Sequence, residues 1–267
     1  MRRTFFSPEF VFQIVALLIA VILVHGFYAL VVRPRADYIL ADQVARMQAD
    51  PSYVPKRSGW VIIRDFEQEA CFVLMLWAVA IIGYKGVASA RQRGLLQEDL
   101  VPRADGTKIL PEDAREYARQ IEGLPPSRRG GLLPRALLAA LNRFTATRNI
   151  QDVADTARGL CEAEGERLES ELSMVRYIAW AIPSIGFIGT VRGIGEALAQ
   201  AHKAVEGDIA GVTQSLGVAF NSTFIALLLS IVLMFFLHQL QSTQERLVLD
   251  TESYLDHELV QHLQVSS

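Results

Sequence analysis

Four apolar runs, separated by polar segments, organise the chain. The first run, 10–32, holds about 20 mostly apolar residues, the length that crosses a hydrocarbon core as a helix. The second run, 70–85, is short for a span, whereas the third and fourth, 174–199 and 212–239, are of full length. The pattern therefore predicts an all-α, polytopic membrane protein with four transmembrane helices and a cytoplasmic helical region.

Polar segments lie before, between and after these spans. Arg2 and Arg3 precede the first span, Lys85 follows the second and Arg176 opens the third. Because basic residues favour the cytoplasmic ends of spans, we expect both termini in the cytoplasm, although the two large loops are about equally basic. The expected segments are a cytoplasmic N-terminus (1–9), a periplasmic loop with a short helix (33–69), the cytoplasmic helical region (86–173), a second periplasmic loop (200–211) and a cytoplasmic helical tail (240–267).

The first run is interpreted as a retained anchor rather than a signal peptide. Its apolar core is too long for a signal peptide, and no small-x-small cleavage site occurs near Arg33. Pro34 is expected to break the helix after this span, because proline lacks the backbone N–H that a helix uses. The segment 36–50 then has the pattern of a short amphipathic helix.

Composition narrows the functional classes. Hydrophobic residues make up 51% of the chain and the formal net charge is -3, and no basic stripe favours nucleic acid. No spacing suits a metal site and no catalytic motif is present, so we expect neither an enzyme nor a cofactor. Cys71 lies in an apolar run and Cys161 in a polar helix, which argues against a disulfide.

The third run contains a row of glycines that leaves one face of the predicted helix nearly bare: Gly186, Gly189, Gly193 and Gly195. A second helix can therefore approach backbone to backbone. The first three of these glycines are expected to pack at the interface with a partner helix.

Hydroxyl side chains lie in both of the last two runs. Thr190 is in the glycine face, and the fourth run carries the cluster Asn221, Ser222 and Thr223. A side chain in lipid gains nothing from a hydroxyl, whereas one that lines an ion path does. The pattern suggests a polar path through a helical bundle, and the alternative is that the hydroxyls donate to carbonyls of their own helices.

Ionisable groups are scarce in these two runs. Glu196 lies near the outer end of the third run, so the carboxylate that an ion path normally needs is expected from a partner span. Arg192 either snorkels to the outer interface or acts as a gate paired with Glu196 or a neighbouring subunit. His25 is interpreted as a helix-interface histidine in preference to a proton relay, and Glu67 and Glu69 as interfacial.

The stretch Glu166–Leu240 resembles the MotA/TolQ/ExbB family of ion-driven stator subunits. Within it, ERLESELSMVRYIAWAIPSIGFIGTVRGI is similar to the family's passage from a cytoplasmic helix into the membrane, including the Gly189-Thr190 pair. The segment SLGVAFNSTFIALLLSIVLMFFLHQL is similar to the family's last span, with Ser222 and Thr223 at its small and hydroxyl positions. The resemblance favours a pore-lining role for the hydroxyls.

The resemblance also implies an assembly: a homopentamer around a dimer of a MotB/TolR/ExbD-like protein, whose single span bears an aspartate. In a bacterial inner membrane, H+ or Na+ flowing through that aspartate would rotate the two components against each other. Four spans are similar to the MotA branch, whereas IGTVRGI is closer to TolQ and ExbB. Val218 stands where TolQ and ExbB usually have an acid, and Arg192 where they often have an aromatic residue.

Other functions stay open at this point. The chain could be a membrane scaffold or signalling protein without ion conduction, in which the hydroxyls only join helices. An independent channel is a weaker alternative, because no selectivity-filter motif is present. The resemblance leaves open whether the ion is H+ or Na+, and which process would be powered among flagellar rotation, outer-membrane energisation, gliding and phage defence.

Overall fold

The computed structural model describes residues 8–50, 53, 56, 58–98, 100–101, 108–205 and 209–265. Regular structure in these ranges is helical, apart from one isolated parallel bridge between Ile109 and Leu263. The predicted all-α class is therefore confirmed. Four helical stretches are long and apolar enough to cross a membrane, as predicted: Pro8–Ala49, Phe66–Leu95, Ile150–Ala199 and Ala210–His262.

The described residues fall into two compact units, each considered by itself. Unit 1 comprises the residues up to Ile82 and Met174–Leu237, and unit 2 comprises Gly83–Ser173 and the residues from His238 onward. The helices, in chain order, are α1 (Pro8–Phe27), α2 (Arg33–Ala49), α3 (Gly59–Ile62), α4 (Phe66–Leu95), α5 (Ala114–Glu122), α6 (Pro126–Arg129), α7 (Leu132–Thr147), α8 (Ile150–Glu171), α9 (Ser173–Ala199), α10 (Ala201–Val205) and α11 (Ala210–Tyr254).

The helix of the first span continues past Pro34, so the predicted break at this proline is wrong. A π-helical turn, Tyr28–Val32, joins α1 to α2, and the N–H of Arg33 donates to the carbonyl of Tyr28. A proline in a regular helix would clash with the carbonyl four residues earlier. The wider turn just before Pro34 separates these groups, which lets α2 extend the first span to Ala49.

Unit 1 exposes many large apolar side chains, which is not typical of a soluble domain. Trp180 is 69% exposed, Val191 72% and Ile231 69%, while smaller residues such as Ala78 and Ala226 are fully buried. Such a surface is stable where it meets lipid or other membrane helices rather than water. This inverted pattern supports the assignment of a multi-pass membrane protein.

Pro183 lies inside α9 and leaves one backbone carbonyl without its helical donor. The missing N–H would have served the carbonyl of Ala179, and the hydroxyl of Ser230 on α11 donates to that oxygen at 3.3 Å instead. In a membrane an unsatisfied carbonyl is costly, so a neighbouring hydroxyl is an effective substitute. The interhelical bond thus compensates for the proline.

Ser230→Ala is expected to lower the free energy of unfolding by about 1 kcal/mol, because it leaves that carbonyl unsatisfied. In a Pro183→Ala background the cost should nearly vanish, since the restored backbone N–H can bond the same carbonyl. Thermal unfolding of the four combinations in detergent measures this coupling. An equal cost in both backgrounds would contradict the proposed compensation.

Unit 2 has a conventional apolar core and paired buried charges. Buried side chains from several helices form the core, among them Leu137, Phe144 and Leu259. Glu164, 4% exposed in its side chain, accepts from Arg135 at 3.2 Å and from Arg167 at 2.6 Å. The bounds of unit 2 nearly coincide with the segments predicted as the cytoplasmic region and tail. Their cytoplasmic location stays a prediction.

Candidate functional site

Three glycines bring α9 into close contact with α11 of the same chain. Gly186, Gly189 and Gly193 are buried and spaced by three and four residues, which places them on one face of the helix. A Cβ on Gly193 would stand 2.7 Å from the carbonyl oxygen of Ser215 and 2.8 Å from the backbone nitrogen of Ala219. Atoms do not pack so closely, so this approach of the helices requires glycine.

The glycine face is therefore occupied by the chain's own fourth span. Contact of Gly186, Gly189 and Gly193 with a separate partner stays a prediction. The expectation that Gly195 shares this face is wrong, because a Cβ there would meet nothing within 4 Å. Two residues turn a helix by about 200°, which directs position 195 away from the face of Gly193.

Two threonine hydroxyls meet where the glycines let the helices approach. Thr190 and Thr223 share a short hydrogen bond, and Thr223 also donates to the carbonyl of Gly186 at 3.1 Å. The Thr190 oxygen lies 3.2 Å from the carbonyl of Ala219 and 3.3 Å from that of Gly186. Two hydroxyl protons cannot serve all these acceptors at once, so the hydrogen bonds can rearrange by hydroxyl rotation.

The polar layer continues through Ser222 into the second span. Ser222 donates to the carbonyl of Val218 at 2.9 Å and receives a 3.4 Å contact from Nε2 of Gln68. Gln68 is fully buried near the start of α4. Asn221, predicted to line the path, is only half-buried and makes none of these hydrogen bonds.

Arg192 is paired with two carboxylates rather than directed alone to an interface. Its Nε and second terminal nitrogen bond the two oxygens of Glu67 at 2.7 and 2.8 Å. Its other terminal nitrogen bonds Glu196 at 3.0 Å. The expected pairing with Glu196 is present, and the stronger, bidentate partner is a residue of the second span that the sequence did not indicate.

A second ion pair links the first span to the second. Glu69 is 11% exposed in its side chain, accepts from Arg33 and lies 2.7 Å from Nδ1 of His25. The guanidinium of Arg33 stacks over the ring of Phe66 at 4.5 Å. In the structure Glu69 therefore lies within the protein, in contact with the histidine of the first span.

Asp65 adds a further carboxylate just before α4 begins. Burial raises the pKa of its carboxyl, and the charges of Arg192 and Arg64 oppose that rise. Three carboxylates of this region, those of Asp65, Glu67 and Glu196, thus act on one guanidinium of α9. The surplus of negative charge favours cations at this end of the bundle.

The thiols show no sign of reactive chemistry. Cys71 and Cys161 are both free and buried. Burial raises the pKa of the Cys161 thiol to about 11, so it stays protonated at neutral pH and is a poor nucleophile. In the described ranges, no group of three or more His, Cys, Asp and Glu side chains could hold a metal ion.

The fold and the site define a helical membrane protein with hydroxyls and paired charges between its spans. Residues 131–253 match the model of the MotA/TolQ/ExbB proton channel family, which confirms the resemblance predicted from the sequence. The match covers a little under half of the chain and includes the whole glycine and hydroxyl layer. No curated protein and no solved structure matches the chain.

The second span supplies the residues that sequence reasoning missed. Glu67 and Glu69 were predicted to be interfacial because they precede an apolar run, and no pattern singles out Gln68 between them. The one available signal was that three consecutive long polar side chains open a helix whose remaining face is apolar. Three adjacent residues point to three sides of a helix, so at least one of them had to face the protein interior.

Proposed function

We propose that this chain is the pentameric channel subunit of an ion-motive-force-driven motor. Five copies would surround a dimer of a single-span, aspartate-bearing protein of the MotB/TolR/ExbD kind, and ion flow would power rotation of one component against the other. The observation that carries the proposal is the hydroxyl layer of Thr190 and Thr223 inside the region that matches the proton channel family. The subunit needs no cofactor, because the transported H+ or Na+ is its only small partner.

The distribution of carboxylates supports a partner protein. Within unit 1, α9 carries Glu196 near its end, α11 carries no acidic residue, and Glu67 of α4 is held by Arg192. Threonine and serine hydroxyls can pass a proton or coordinate an ion, but they do not store its charge. An aspartate on a partner span would complete the path at the depth of the hydroxyl layer.

The exposed apolar faces of α9 and α11 support an oligomer. Phe187 and Val191 on α9 are exposed, as are Phe220 and Phe224 on α11. Large apolar side chains exposed in this way need to be covered, either by helices of further copies or by membrane lipid. We place the spans in a bacterial inner membrane, with 86–173 and the tail on the cytoplasmic side.

The test is to co-express the chain with a single-span, aspartate-bearing protein of the MotB/TolR/ExbD kind from the same genome and to purify the complex. Native mass spectrometry in mild detergent should give five copies of this chain with two of the partner. In proteoliposomes, the complex should dissipate an imposed H+ or Na+ gradient, and the chain alone should do so much more slowly. A stable monomer, or a complex without flux, would contradict the proposal.

A scaffold or signalling protein without ion conduction is the second candidate. It is favoured by one observation: the hydroxyls of Thr190 and Thr223 are satisfied within a single chain by backbone carbonyls of both helices. Such bonds join helices without any need for a path. The two functions differ in whether removing a hydroxyl abolishes flux or only weakens the fold.

A further inference from the structure

Glu67 of the second span reaches the glycine face at Gly189. A Cβ on Gly189 would stand 3.1 Å from Cγ of Glu67, 2.5 Å from Cβ of Ser222 and 2.6 Å from its hydroxyl oxygen. The missing side chain therefore leaves room for a carboxylate stem and a hydroxyl at one point of α9. Because the hydroxyl of Ser222 lies at the same point, the side chain of Glu67 adjoins the hydroxyl layer.

The amide of Gln68 provides an independent sign that a small ligand or water belongs here. Gln68 is fully buried, and its Nε2 contacts the carbonyl of Ile62 at 3.1 Å and the hydroxyl of Ser222 at 3.4 Å. Its Oε1 has no hydrogen-bond partner among the described residues. A buried carbonyl oxygen of this kind is normally satisfied by a water molecule or an ion. The unsatisfied oxygen belongs to the side chain that contacts Ser222.

The charges around Glu67 can exchange partners without a large movement. Arg192 bonds both oxygens of Glu67 and one oxygen of Glu196 at the same time. A small rotation toward Glu196 would free the carboxylate of Glu67 and keep the guanidinium paired. Because two carboxylates share one guanidinium, a net negative charge remains, and the neighbouring Arg64 is itself paired with Asp37 at 3.0 Å.

We infer that Glu67 is the ion-handling carboxylate of this subunit. Arg192 acts as its latch, because the ion pair between the two side chains keeps the carboxylate from binding an ion. This inference rests on the proposed channel function and names a residue outside the family-matched segment. When Arg192 turns to Glu196, the freed carboxylate takes a cation from the outer side of the membrane and passes it to the layer of Ser222 and Thr223. The carboxylate is regenerated as the ion moves on, and Arg192 returns to it.

Carboxyl labelling tests the first part of the inference, that Arg192 occupies the carboxylate of Glu67. A hydrophobic carbodiimide attacks only carboxyls that are accessible and able to take up a proton. In proteoliposomes we expect little adduct at Glu67 in the wild-type protein and several-fold more in Arg192→Gln, mapped by peptide mass spectrometry. Labelling of the same peptide in Glu67→Gln measures the background from its other carboxyls. An unchanged adduct level in Arg192→Gln would overturn the latch.

Ion flux through the complex with its partner tests the relay itself. Glu67→Gln keeps an acceptor for Arg192 and nearly the same shape, so the fold should be preserved while flux falls at least tenfold, a change of about 1.4 kcal/mol in the barrier. Glu67→Asp keeps a carboxylate and should retain much more flux than Glu67→Gln. Thermal unfolding of both variants shows whether a loss of flux follows from misfolding. If Glu67→Gln misfolds, the flux that Glu67→Asp retains tests the role of the carboxylate.

The outcomes separate this inference from the proposed function. Wild-type flux that survives in Glu67→Gln would overturn the inference and leave the channel function intact. A wild-type complex without flux would overturn both. Equal losses in Glu67→Gln and Glu67→Asp, with unchanged stability, would also overturn the role of the carboxylate as a relay.

Discussion

Thr223→Val should abolish ion flux while the complex with the partner still assembles. The substitution keeps the branched shape and removes the hydroxyl that bonds Thr190 and the carbonyl of Gly186. Such a bond in a membrane bundle contributes only about 0.6 kcal/mol on average, so the fold should survive. A path that loses a hydroxyl in every subunit loses a ring of sites, and its rate should fall by orders of magnitude.

Thr213→Val is the matched control for this experiment. Thr213 lies on the same helix, is exposed, and donates to the carbonyl of Ile209, the residue just before that helix begins. Flux is measured in proteoliposomes, and assembly by co-purification of the partner. If flux persists in both Thr190→Val and Thr223→Val, the hydroxyls only join helices, and the scaffold function is favoured over the channel function.

Gly193→Ala should strongly destabilise the protein, whereas Gly195→Ala should not. The new methyl at position 193 would meet backbone atoms of Ser215 and Ala219 at 2.7 and 2.8 Å, and backbone atoms cannot rotate away. Overpacking of this kind costs about 1–3 kcal/mol, more than the gain of up to 1 kcal/mol in helix propensity. Position 195 has open space and should keep that gain.

Thermal unfolding in detergent compares the two alanine variants directly. They carry the same substitution two positions apart on α9, so any general effect of alanine on the helix cancels. Equal stabilities would show that α9 and α11 do not approach as the structure has them. A loss of partner binding in Gly195→Ala alone would instead assign the partner interface to the exposed side of α9.

The helices and their close contact were predictable from local patterns, because each depends on residues near one another in the chain. Hydropathy marks the spans, and the spacing of Gly186, Gly189 and Gly193 marks a helix face. The prediction that Gly195 belongs to this face was wrong, because a count of nearby small residues takes no account of their angles around the helix. The same local patterns did not reveal that the face would be filled from within the chain.

The ionic part of the site was not predictable, because its members come from distant segments. Glu67 and Arg192 are 125 positions apart, and neither position has a pattern that selects the other. A charge in a span demands a partner, but the number of available carboxylates leaves the choice to the tertiary fold. Likewise, a proline inside a helix leaves one carbonyl without its helical donor, but only the packing of α11 identifies Ser230 as the donor that replaces it at Pro183.

The contact between α9 and α11 also sets an order for biogenesis. Thr190 and Thr223 are 33 positions apart, so the last two spans can insert as a helical hairpin whose hydroxyls find each other early. The second span, whose Glu67 must meet Arg192 across a much longer stretch of chain, is expected to dock afterwards, since closing longer loops costs more entropy. A nascent chain would thus shield its polar groups from lipid before any sister copy arrives. Substitutions at Gly193 should then arrest maturation at its first step, and those at Glu67 only at a later one.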